Sequence, residues 1–83
     1  MGKSVLKNWS PKDIVRFLKK NGFEELKAKG DHCGLYNQQT KAYTEVDMGR
    51  DAFTQREMLQ FTNQTKIPKE KWKKGKKIKS GVR

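Results

Sequence analysis

The sequence predicts an α+β domain of order α-β-β-β-α, a three-stranded antiparallel sheet with two helices on one face. Three observations carry this. Two stretches open with capping residues and continue in an apolar stripe of helical period. Three short extended runs lie between them, separated by the turn-forming segments "KGD" and "QQTK". The whole has 83 residues, enough for one small core and one domain.

The first helix is declared by "NWSPKDIVRFLKKNGF". Ser10 is placed to be the N-cap, and Pro11 takes N1, where a missing N–H costs nothing. Asp13 at N3 suits the positive end of the helix dipole. Trp9 and Ile14 stand at the two positions of a hydrophobic staple. Ile14, Val15, Phe17 and Leu18 form the apolar stripe, and Gly22 is placed to end it, so helix 1 covers about residues 11–21. The second helix begins in "AFTQREMLQFTNQTKIP". Thr54 with Glu57 fits a capping box and Phe53 with Met58 a staple, giving a helix over about 55–64 that ends before Pro68.

The extended runs are about 23–28, 32–37 and 42–48. With "QQTK" as a hairpin, a two- or four-residue loop gives the same register. Tyr36 then faces Tyr43, Leu35 faces Thr44, Cys33 faces Val46 and His32 faces Asp47. Strand alternation puts Cys33, Leu35, Val46 and Met48 on the face that meets the helices. His32, Tyr36, Tyr43 and Asp47 share the other, uncovered face. In the first strand, burying Leu26 sends Glu25 and Lys27 to that open face.

Charge narrows the partners. Twenty basic against nine acidic residues leave +11, which points to a polyanion: nucleic acid, an anionic membrane surface or an acidic protein. Nine of the basic residues and one acidic residue fall in 66–83. The lysine-rich 69–83 reads as a solvated, mobile tail following a domain of 1–68, and non-specific phosphate attraction is its expected contribution. No apolar run is long enough to span a membrane, and the first residues do not read as a secretory signal. "GKS" at 2–4 lacks the upstream glycine of a phosphate-binding loop, and Leu6 breaks the myristoylation pattern. One Cys and one His cannot close a zinc site of four protein ligands, so no metal and no cofactor is expected. Cys33 cannot form an internal disulfide, which suits a reducing cytoplasm, and reads as a small buried hydrophobe.

The stretches "KDIVRFLKKNGFEELKAKGDH" (12–32) and "TQREMLQFTNQTKI" (54–67) resemble the HicA family of small bacterial toxins. The similarity covers about 10–67. It implies a fold like a double-stranded-RNA-binding domain and an mRNA interferase activity. It also implies a HicB-type antitoxin as cognate partner, covering the active face in the cytoplasm. In that family a Gly-Ser-His ends the first crossing of the sheet, and its histidine is catalytic. Here Gly30-Asp31-His32 occupies the place, with Asp31 instead of the serine. Asp47 stands where the family's third strand often carries a second histidine, and Phe53-Thr54-Gln55 replaces a Gly-Thr-Leu.

RNA carries its own nucleophile, the 2′-hydroxyl, so a base that removes its proton suffices and no metal is needed. An ordinary histidine, with a pKa of about 6.5, suits that work near neutrality. With the resemblance, His32 is the expected general base, and Lys27 and Lys29 position the phosphate. Gly30 and Gly34 let the backbone approach closely, and Asp47 orients the imidazole or tunes its basicity. Tyr36 and Tyr43 stack on an unpaired base or simply pair with each other across the strands. His32 as an ordinary turn residue, and the glycines as parts of a turn and a bulge, are the plainer readings. Two other functions stay open. One is a non-catalytic RNA-binding module of the same shape, a degenerate toxin. The other is a small basic DNA-binding protein, disfavoured by the absence of a helix-turn-helix pair and by a second helix in which Arg56 adjoins Glu57.

Overall fold

A computed structural model describes residues 9–27 and 30–74. Helix α1 spans Pro11–Lys20. Its cap is reciprocal: the Asp13 amide donates to Ser10 Oγ at 3.2 Å, and the Ser10 amide donates to Asp13 Oδ2 at 3.3 Å. Two of the otherwise orphaned N–H groups at this end are thereby satisfied. Asn21 closes the helix, its Nδ2 donating to Phe17 O at 2.8 Å. Ile14, Phe17 and Leu18 turn inward.

Strands β1 (Glu24–Glu25), β2 (His32–Asn37) and β3 (Ala42–Asp47) form one antiparallel sheet in the order β1-β2-β3. The β2–β3 register is the expected one, from His32 opposite Asp47 to Tyr36 opposite Tyr43. Its loop has four residues. Asn37 Oδ1 accepts from the amides of Gln39 (2.8 Å) and Thr40 (3.2 Å), an Asx-type device that builds the turn from the strand's last side chain. Cys33, Leu35, Asn37, Ala42, Thr44 and Val46 make one buried face, as period-two alternation demands. Helix α2 spans Gln55–Thr65, and Thr54 and Glu57 exchange the same reciprocal bonds as Ser10 and Asp13. Met58 and Phe61 carry it onto the core, and Thr44 Oγ1 donates to Gln64 Oε1 at 2.6 Å to tie it to β3.

Three expectations are corrected. The first concerns the parity of β1. Glu25 lies opposite Leu35, whose side chain is buried, so Glu25 and not Leu26 is on the helix side. Two residues of strand at the sheet edge let Glu25 reach outward, where Lys19 Nζ donates to it at 3.1 Å and Cys33 Sγ at 3.5 Å. Leu26 is left 41% exposed. The second concerns Met48, which borders α1 on the expected side but lies beyond the end of the strand. Strand β3 ends at Asp47, the Met48 amide donates to Asp31 O in the turn, and the side chain stays exposed.

The third concerns the boundary at 68. Residues 69–74 form a short helix, α3, and Trp72 within it is fully buried. Its ring meets Trp9 at 5.2 Å and Phe17 at 4.5 Å between centroids, and Nε1 donates to Ile67 O at 3.2 Å. Trp9 is itself held by a bridge to Phe53, before α2. The core therefore extends through Trp72, because one large aromatic outweighs the lysines around it. The remainder of the expected tail, 75–83, lies outside the described residues.

Candidate functional site

His32 is the first residue of β2 and is exposed on the open face. The turn before it runs through Gly30 at φ 59°, in the left-handed region. A Cβ on Gly30 would meet nothing within 4 Å, so backbone conformation and not space favours glycine there. Among the described residues the imidazole makes no hydrogen bond or ion pair. Asp47 is its cross-strand partner, yet Asp47 Oδ1 accepts from the Gly49 amide at 3.0 Å and so braces the turn after β3. The expected orienting bond from Asp47 to the imidazole is not formed.

The open face is not bare at this end. A cleft of about 280 Å³ is lined by His32, Glu45 and Asp47 of the sheet together with Arg50, before α2, and Glu57 and Gln60 of α2. Arg50 and Glu57 form a two-pronged pair, Nη1 to Oε2 and Nη2 to Oε1, both at 2.7 Å. The guanidinium also lies 4.8 Å from the centre of the Phe53 ring. Bonds from Arg50 and then from the Thr54 amide hold the Glu57 carboxyl down at about 2. The bond to Glu57 raises the Arg50 pKa in turn. Three carboxylates and one committed guanidinium thus line the cleft. It holds a free imidazole in a locally acidic setting.

Tyr43 lies across the neighbouring strand. A Cβ on Gly34 would come within 3.1 Å of Tyr43 Oη, so glycine at 34 is what lets the phenol ring settle on the sheet. The hydroxyl donates to Glu45 Oε2 at 2.8 Å, and this bond holds the phenol in its protonated form, raising its pKa. Tyr36 sits opposite, half-buried, and no ring contact joins it to Tyr43 among the described residues, so the expected aromatic pair does not form. The outer face of Tyr43 is exposed.

Of the two cations expected at His32, only Lys27 falls among the described residues. Lys27 follows Leu26, whose amide donates to Gly34 O at 2.8 Å; continued alternation puts Lys27 on the side of Glu25, away from the imidazole's face. Lys29 lies outside the described residues. Arg50, Glu57 and Gln60 were not foreseen at the site; Arg50 with Glu57 seven residues on, across a helix start, was the available signal. Cys33 is buried, its thiol pKa raised by burial and then by the bond it donates to Glu25, so it is an inert core residue. No group of three or more His, Cys, Asp and Glu converges to hold a metal among the described residues. None of their helices is long and apolar enough to cross a membrane. The chain matches no protein-family model, no curated protein and no solved structure.

Proposed function

We propose that this chain is a cytoplasmic endoribonuclease of the HicA toxin type, cutting mRNA with His32 as general base. The observation that supports it most is the free, exposed imidazole at the head of β2, beside the Gly30 turn and at the mouth of a cleft. In the reaction, an imidazole nitrogen of His32 takes the proton of a ribose 2′-hydroxyl. The freed oxygen attacks the adjacent phosphorus, and the bond to the 5′-oxygen of the next nucleotide breaks. That oxygen takes up a proton, leaving a 5′-hydroxyl and a 2′,3′-cyclic phosphate, and the imidazolium returns its proton to water. The exposed ring of Tyr43 offers a stacking face for an unpaired base beside the scissile bond. A HicB-type antitoxin would silence the enzyme by covering the open face, where Leu26 and Tyr43 present apolar area.

A second reading, an RNA-binding module without catalysis, is favoured by one observation: Glu45, Asp47 and Glu57 line the cleft with His32 and repel a phosphate. Controlled expression in bacterial cells separates the two. Growth arrest with loss of mRNA, abolished by His32→Ala, supports the enzyme. His32 is exposed, so this variant keeps the fold. Unimpaired growth with RNA bound and intact on the purified protein supports the module.

A further inference from the structure

We infer that the groove along α1 is the RNA-holding surface of this protein, a phosphate track separate from the cleft at His32. The inference rests on the RNA reading above but not on catalysis. Lys12, Arg16, Lys19 and Lys20 of α1 line a groove of about 510 Å³ whose apolar floor is Val15 and Met48. No carboxylate is among its lining residues. Lys12, Arg16 and Lys20 recur every four residues, hence on one side of the helix and roughly 6 Å apart along it. Lys19 is engaged by Glu25, but the other three make no ion pair or side-chain hydrogen bond with any described residue. Like charges one turn apart repel and weaken a helix. A polyanion laid along the groove removes that repulsion.

The occupant follows from the chemistry of the lining. An acidic protein would be anchored by side chains in desolvated pockets, and this open groove offers a shallow apolar floor beneath a row of cations. A row of Lys and Arg at regular intervals suits the regular charge of a phosphate backbone, which such residues bind without reading its sequence. The ribose faces can rest on Val15 and Met48. The three carboxylates of the cleft oppose a phosphate at His32, which gives a cationic surface elsewhere the larger part in affinity.

The fold connects the two. Asp47 faces His32, and Met48, the next residue, lines the α1 groove; the Met48 amide is bonded to Asp31 O, immediately before His32. The groove and the imidazole therefore meet at the same end of the sheet. A strand held on α1 reaches His32 by rounding the turns at 31 and 48.

The test is fluorescence anisotropy of a labelled single-stranded RNA with full-length protein, in a His32→Ala background so that the RNA stays intact. Lys12→Gln/Arg16→Gln is compared with Lys41→Gln/Lys66→Gln, an equal loss of charge in which Lys66 donates to the hairpin loop at Thr40 O. Circular dichroism confirms that both fold. The expected result is about tenfold weaker binding for the α1 pair alone, with the slope of log affinity against log salt reduced by about 1.4, the value for two phosphate contacts on a single strand. Equal weakening in both pairs overturns the inference, as does an α1 pair that binds as before. Loss of polyglutamate binding with RNA binding intact assigns the groove to an acidic protein and overturns it too. If the parent protein binds RNA through α1 and the wild type never cuts it, the groove stands and the ribonuclease reading falls.

Discussion

Asp47 stands opposite His32 in the sheet, and its carboxylate is turned to the Gly49 amide at 3.0 Å. It is a brace for the turn that leads to α2, carrying a negative charge beside the imidazole. Asp47→Asn keeps an acceptor for Gly49 and removes that charge. Its RNA affinity is expected to rise about twofold to threefold at low salt, and the gain to fade as salt screens the charge. Anisotropy titrations at two salt concentrations check this. A weaker complex would mean that the carboxylate is needed for RNA and not merely tolerated.

The Arg50–Glu57 pair makes stability depend on acid. Glu57 is at about 2 in the fold against an ordinary 4.5, so its stabilisation is complete above 4.5 and lost as pH falls through about 2. Glu57→Gln also weakens the α2 cap, which Thr54 and Glu57 share. The variant is expected to be less stable than wild type at pH 7, with most of the difference gone near pH 2. Because a third of the side chain is exposed, the difference is modest and shrinks in salt. Urea unfolding at the two pH values measures it, and an undiminished difference at pH 2 would remove the ionic explanation.

Trp72 is expected to be among the costliest residues to truncate. Trp72→Ala empties a site shared by Trp9, Phe17 and Phe61 and should lose about 3–5 kcal/mol. Trp72→Phe keeps much of the ring area and loses the bond to Ile67 O, so it should cost less. Chemical denaturation of both variants checks the order. A wild-type midpoint for Trp72→Ala would return 69–74 to the status of a tail.

The bond from Tyr43 to Glu45 is open to direct titration. The carboxylate holds the phenol proton, so Glu45→Gln should lower the Tyr43 pKa toward the ordinary value of 10. Gly34→Ala should do the same by pushing the ring from its seat. Ultraviolet titration in a Tyr36→Phe background isolates the signal. Identical curves for parent and variants would show that the bond is not populated in solution.

The elements that local chemistry specifies were legible in the sequence. Ser10 and Thr54 mark helix starts within a few residues, and the loop at 38–41 sets the register of six strand pairs. Tertiary competition was less legible. Leu26 is the more apolar residue, but the register to Leu35 decided that Glu25 takes the helix side. Trp72 was hidden by composition, since "KEKWKK" reads as solvated charge unless the lone aromatic four residues after Pro68 is weighed by its area. At the site, the position of His32 followed from alternation alone. That residues of α2 line the same cleft depended on where the helix packs, and the Arg50–Glu57 spacing was its one local sign.

The most direct test of the central claim is incubation of a defined single-stranded RNA in EDTA with wild type and with His32→Ala, followed by analysis of the new ends. The expected result is cutting by wild type only, with 2′,3′-cyclic phosphate and 5′-hydroxyl ends. Equal cutting by both proteins, or intact RNA bound by both, would contradict the assignment of His32 as the general base.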